Sequence, residues 1–110
     1  MKNLIVKKPL GYLEMLSLMK NAKLVLIDFG GVQEETTVLD VPCLTLRKTT
    51  ERPITIEVGT NKVVGSRKED IIKESLKILN GKNKKGKIPR YWDGKTSQRI
   101  IRILRKKIRI

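Results

Sequence analysis

With 110 residues, 39% of them hydrophobic and 33% charged, the chain has enough material for one globular domain, and a domain of that size buries only ~60–70% of the surface its unfolded form exposes. The lone Cys43 excludes an internal disulfide framework and favours a reducing compartment, and no segment has the unbroken apolar length that a membrane crossing requires. The net charge of +14 is uneven: residues 1–80 hold 13 Lys/Arg against 10 Asp/Glu, whereas residues 81–110 hold 12 against the single acid Asp93.

In chain order, Leu4-Ile5-Val6 fits a short strand, broken by Pro9-Leu10-Gly11. The start is too short and too soon basic again for a secretory signal, so a cytoplasmic protein is expected. Tyr12 to Lys20 is apolar on most sides and predicts a largely buried helix ended by Asn21-Ala22. Leu24-Val25-Leu26-Ile27 is a continuous apolar run of the kind that suits a parallel strand covered on both faces. After Asp28, Gly30-Gly31 turns the chain into a helix over Val32–Leu39. Cys43-Leu44-Thr45-Leu46 predicts the next strand, Arg47 to Pro53 a polar loop, and Lys62-Val63-Val64 a third strand. Ser66 and Glu69 have the spacing of a capping box for a helix with Ile72, Leu76 and Leu79 on one face, closed by Asn80-Gly81. Residues 82–90 form a Lys/Gly linker, and a last helix over about Lys95–Arg109 sets Ile101, Leu104 and Ile108 apart from Arg102, Arg105, Lys106 and Arg109.

Alternating strands and helices predict an α/β fold with a parallel sheet. A first strand so close to the N-terminus suggests a piece of a larger protein, although a compact stand-alone domain can also begin abruptly. Two parts follow, residues 1–94 as an α/β domain and residues 95–110 as a basic amphipathic helix. The basic segment 81–110 can serve nucleic acid or anionic lipid, or it can be a solvated helix face. Only Tyr91 and Trp92 are available there for stacking on bases.

The chemistry centres on the strand–Asp28–Gly30-Gly31–helix unit. Ligands of parallel sheets bind outside the carboxyl ends of the strands. A helix start offers unpaired N–H groups and a partial charge of roughly +0.5, and two glycines let a diphosphate approach that backbone. Glu35, about one helical turn further on, is placed to accept the hydroxyl hydrogens of a ribose. The same unit also serves plain tight packing, with Glu34-Glu35 as solvent-facing residues at the positive end of the helix. Arg52 and Glu51 can form a surface ion pair, and Cys43 reads as a buried strand residue because no His accompanies it. No cluster of metal-ligating residues is visible, so no cofactor is expected.

The run Asp28-x-Gly30-Gly31-x-Gln33-Glu34-Glu35, then Leu39-x-Val41-Pro42, then Arg47-x-Thr49-Thr50-Glu51-Arg52-Pro53, resembles the signature of the non-hydrolysing UDP-N-acetylglucosamine 2-epimerases. The spacing holds through Gly59-Thr60-Asn61 and Val64-Gly65. Pro9-Leu10-x-Tyr12-Leu13 upstream and Trp92-Asp93-Gly94-Lys95 downstream extend it over most of the chain. The resemblance implies a Rossmann-like parallel sheet with flanking helices, the C-terminal half of a glycosyltransferase-B fold. It implies that UDP or UDP-GlcNAc is the partner, in the interconversion of UDP-GlcNAc and UDP-ManNAc. By position, Phe29, Gly30 and Gly31 correspond to the diphosphate site, Glu35 to the ribose hydroxyls, Arg52 to the diphosphate or sugar, and Leu10 and Met15 to the surroundings of the uracil. Two residues depart from the family: Phe29 replaces a serine, and Asp40 stands where glycine is usual. The family's catalytic carboxylates and an important histidine lie mainly on an N-terminal domain, and this chain has no histidine. The implied protein is therefore a truncated or split epimerase, inactive alone. A separate chain with the N-terminal domain, or a homodimer, would then be a partner.

Overall fold

A computed structural model describes residues 3–28 and 31–108. The element order is α1 (Tyr12–Lys20), β1 (Val25–Ile27), α2 (Gly31–Val38), β2 (Cys43–Thr45), α3 (Pro53–Glu57), β3 (Asn61–Val63), α4 (Lys68–Leu79) and α5 (Thr96–Ile108). The three strands form one parallel sheet in the order β1-β2-β3, with Leu44 of β2 opposite Leu26 on one side and Lys62 on the other. The α/β expectation with a parallel sheet is met.

Strand alternation divides the sheet into two faces. Cys43 and Thr45 turn toward α2 and α3: the Cys43 thiol bonds Thr36, and Thr45 reaches α3 through Asn61. Leu44 and Lys62 share the other face, where Lys62 bonds Glu74 of α4 at 2.7 Å. Every residue of β2 is buried. Much of what surrounds it is polar. Gln33, Thr36, Thr37, Thr45, Thr55 and Asn61 are each at most 2% exposed, and the buried apolar residues are Met19, Val41, Cys43 and Leu44. Such groups are tolerated inside only when hydrogen-bonded. Thr45 Oγ1 donates to Asn61 Oδ1 at 2.6 Å, Asn61 Nδ2 donates to Thr55 Oγ1 at 3.1 Å, and Thr55 Oγ1 donates to the Arg52 carbonyl at 2.6 Å.

Two helices end in the same way. After α4, the N–H groups of Gly81 and Lys82 bond the Ile78 and Lys77 carbonyls. After α2, those of Asp40 and Val41 bond the Thr37 and Thr36 carbonyls. Both are Schellman ends, which require a left-handed residue. Gly81 supplies φ 83°, and Asp40, the departure noted in sequence, adopts φ 57°.

Several expectations need correction. Leu4-Ile5-Val6 is not a strand and is exposed. A strand needs a ladder partner, and among the described residues none pairs with it. Helix α1 forms where expected but is not largely buried: Met19 alone is. In α4 the Ile72, Leu76 and Leu79 stripe faces outward, while Asp70, Ile71, Glu74, Ser75 and Ile78 are the half-buried positions. The capping box is out of register by one residue. Arg67, not Ser66, is the N-cap, and no side chain caps it. Finally, the loop expected through Pro53 ends at Arg52, because Pro53 opens α3 at a position where its missing N–H costs nothing.

Candidate functional site

The carboxyl ends of β1 and β2 open toward the start of α2 and the loop 46–52. Gln33, in the first turn of α2, is fully buried and ties the two together: its side-chain carbonyl accepts the Thr50 hydroxyl. Thr50 Oγ1 in turn accepts the Arg52 N–H at 3.0 Å. The Arg52 guanidinium is then bonded through Nε to Glu34, also in the first turn of α2. Arg52 thus stands at the helix start where unpaired N–H groups gather. Both partners are 42% exposed, so the pair contributes ~0–1 kcal/mol to stability. What it does is fix a cation whose N–H groups beyond those given to Glu34 and the Glu51 carbonyl remain for an anion. The surface ion pair that Glu51 and Arg52 could have formed is absent among the described residues. Glu51 offers its backbone carbonyl to Arg52 at 3.4 Å, and Glu34 takes the guanidinium.

Gly31 is the first residue of α2. A Cβ built there meets nothing within 4 Å, so the approach to the helix start is open on that side. Phe29 and Gly30, the other two residues expected at a diphosphate, lie outside the described residues.

Glu35 is half-buried and sits beside Glu34 in a groove of about 430 Å³, lined also by Tyr12, Leu16, Leu39 and Trp92. A carboxylate among apolar walls and two aromatic rings suits a ligand with hydroxyls on one edge and an apolar face. Trp92 is set there by its neighbours. Tyr91 takes the left-handed φ of 73°, Arg90 and Arg99 each lie 4.8 Å from its ring centre, and Arg99 also bonds the Asp93 carboxylate at 3.0 Å through Nη1. Arg99 beside it, with the Lys95 N–H, holds the Asp93 carboxyl down to about 2.

The structure therefore brings Gly31, Arg52 and Glu34 to the helix start, with Glu35 one step away in the groove. It does not bring Leu10 or Met15 to that groove. Leu10 lines a separate hollow with Lys7, Glu14, Ser17 and Leu18, and Met15 is on the exposed side of α1. Gln33, Thr50 and Tyr12 were given no part in the site from the sequence, and Trp92 was read only as a candidate for stacking on bases. Each stands inside one of the quoted motifs, which was the available signal. Cys43 is buried as expected, and burial pushes its thiol above the usual range. Among the described residues no group of three or more His, Cys, Asp or Glu is placed to hold a metal ion, and no helix is long and apolar enough to cross a membrane.

The sequence profile described as UDP-N-acetylglucosamine 2-epimerase matches residues 1–105. The UDP-N-acetylglucosamine 2-epimerase of Methanocaldococcus jannaschii is 52% identical over 103 residues, which is 94% of this chain and 28% of that protein. That of Escherichia coli K12 is 39% identical over 108 residues, 94% of this chain and 29% of its own length. The M. jannaschii enzyme in complex with UDP-GlcNAc and UDP superposes with a TM-score of 0.75 at 51% identity, over 91% of this chain and 27% of that one. The Neisseria meningitidis enzyme bound to UDP-GlcNAc gives 0.71 at 33% identity, over 91% and 28%. The chain thus spans less than a third of the length of the relatives it matches.

Proposed function

The chain belongs to the UDP-N-acetylglucosamine 2-epimerase family, and from that premise we propose that it is the UDP-holding part of such an enzyme, with residues 1–94 as a Rossmann-like unit and residues 95–110 as a basic helix appended to it. In this reading the chain corresponds to the C-terminal half of a glycosyltransferase-B fold and works in the cytoplasm. The observation that carries it is the convergence of Arg52, fixed by Glu34, with the open Gly31 start of α2 and the Glu35 groove. UDP-GlcNAc and UDP were bound by the M. jannaschii relative.

The chemistry follows from those positions. Epimerisation at C2 by loss and re-addition of UDP develops negative charge on the diphosphate as the sugar–oxygen bond breaks. Preorganised donors aimed at that charge lower the barrier. Gly30, Gly31 and Arg52 supply them, and Glu35 accepts the ribose hydroxyl hydrogens. Phe29 puts a ring where the family has a hydroxyl and so weakens the hold on phosphate. Moving the C2 proton needs acid–base groups at the sugar, and the chain has no histidine to offer. We therefore propose that these 110 residues do not by themselves epimerise UDP-GlcNAc and that the acid–base groups come from outside them, from the remainder of the enzyme, a second chain or a homodimeric partner.

Calorimetric titration of the 110-residue chain with UDP tests the binding claim. Heat that disappears in Glu35→Ala is expected; no heat at millimolar UDP would sink it. The nucleic-acid reading of residues 81–110 rests on the exposed cations of α5. It is the weaker one, because Tyr91 lies under two arginines and Trp92 lines the groove. Binding to single-stranded DNA that falls steeply with salt would revive it.

A further inference from the structure

A second cavity lies at the opposite end of the sheet, beside the amino ends of β2 and β3. It measures about 350 Å³, and its polar lining includes Thr60, Lys62, Glu74, Lys77, Lys82 and Lys84. Four ammonium groups thus surround one carboxylate. Glu74 accepts from Lys62 at 2.7 Å and from Lys77 at 3.3 Å, so it orients both while neutralising only one charge. Lys84 donates to the Ile56 carbonyl at 2.5 Å. An ammonium carries three donors, so each of these three lysines keeps two, and no hydrogen bond from Lys82 Nζ is made among the described residues.

The roof over this cavity is built, not draped. The Lys87 N–H bonds the Val58 carbonyl at 2.7 Å. Gly86 comes so close that a Cβ there would meet the Gly59 carbonyl carbon at 2.6 Å and the Thr60 nitrogen at 2.8 Å. Beneath the roof, Thr60 is 5% exposed and its hydroxyl has no hydrogen-bond partner among the described residues. A buried hydroxyl left unpaired is destabilising, and one beside a cationic cavity gains a partner when an anion enters. Burial, with the field of Lys62 added, also pushes the Lys84 ammonium below its usual range, a strain that an anion relieves.

We propose that this cavity is a binding site for a small phosphate-bearing anion, separate from the UDP site. Lysine is a recurrent phosphate ligand, and the excess of cations over the one carboxylate matches a multiply charged group better than a single carboxylate. The occupant is either inorganic or a phosphate carried on a small metabolite.

The test is an NMR titration of the intact chain with orthophosphate and with pyrophosphate. The expected result is saturable shifts at the amides of Thr60, Lys62 and Lys82–Lys84, with pyrophosphate the tighter. Thr60→Val keeps the side-chain shape and removes only the unpaired hydroxyl, so the fold is retained and binding weakens roughly two- to tenfold. Lys82→Ala, at an exposed position, weakens it too, and Lys106→Ala on α5 does not. Saturable shifts with a sugar phosphate, and none with orthophosphate or pyrophosphate, would assign the phosphate to a metabolite. The proposal is overturned if none of these probes moves the cavity amides, if the shifts are no larger than those at the open cations Arg102–Lys107, or if Lys106→Ala weakens binding as much as Lys82→Ala. Glu35→Ala separates the two sites: it abolishes the response to UDP and leaves the pyrophosphate response unchanged.

Discussion

The sheet with α2 and α3, and the two helices α1 and α5, are held by opposite means. Around β2 the chain is closed, and its buried positions are mostly threonine, asparagine and glutamine joined by hydrogen bonds. In α5 nothing is buried, and Ile100, Ile101, Ile103, Leu104 and Ile108 are each about half exposed. The radius of gyration, 17.2 Å, exceeds the ~13 Å of a compact chain of this size. The inner region is therefore specified by polar pairing and is complete in itself. The outer helices carry apolar faces that water does not favour, and exposed faces of this kind mark surfaces meant for another element or partner.

The sharpest way to break that comparison is to truncate one leucine in each region. Leu44→Ala, at a fully buried site, should cost about 2–5 kcal/mol. Leu104→Ala on α5 should stay within ~0.5 kcal/mol. Urea midpoints measure both, and an equal loss for Leu104 would show that α5 is packed after all. Next in size is Asn61→Ala. It strips the acceptor from Thr45 at about 1–3 kcal/mol for the hydroxyl left unpaired, and takes one of two partners from Thr55, which keeps the Arg52 carbonyl. A neutral result would refute a core specified by polar pairing.

The two helix ends offer a finer contrast. Asp40→Gly should stabilise the chain by about 1 kcal/mol, because glycine takes the left-handed position without the Cβ penalty. Gly81→Ala should lose about as much. Thermal melts showing both unchanged would mean that neither φ is retained in solution. The smallest effect concerns Asp93. Its folded carboxyl is depressed to about 2 from an ordinary 3.8, so the help it gives the turn before α5 is fully present above pH ~4 and is lost as pH falls through about 2. Helicity by circular dichroism should fall in that window for the parent chain and stay flat in Asp93→Asn.

Much of this was legible in the sequence, and what was not has a common cause. β1, β2 and β3 are apolar or half-apolar runs bounded by Gly, Pro or Asp, and α2, α4 and α5 announce themselves by glycine ends and period. The polar core was not legible, since a buried Asn61 or Gln33 leaves no periodic mark and is paid for only by partners far away in sequence. The orientation of α4 was missed for the same reason: Ile71 and Ile78 are as apolar as Ile72 and Leu79, and only the placement of the sheet decides which pair turns inward. Within the site, Gly31, Arg52 and Glu35, which the sequence led one to expect at a bound UDP, stand at the helix start or in the groove beside it. The pairing of Arg52 with Glu34 was not foreseen, because Glu34 is distant in sequence, and the adjacent Glu51 was only one possible partner. Leu10 and Met15 lie elsewhere on the surface.

Cys43 gives the closed region a built-in clock. Its sulfur is inside the middle strand, away from solvent, and the chain contains no other thiol to confuse a signal. A thiol reagent can reach it only when the sheet opens, so the labelling rate under native conditions reports how often the three strands part. Because α1 and α5 carry no cysteine, fraying at those helices leaves the clock silent, and a ligand that slows it is acting on the sheet or on the cavity beside Cys43.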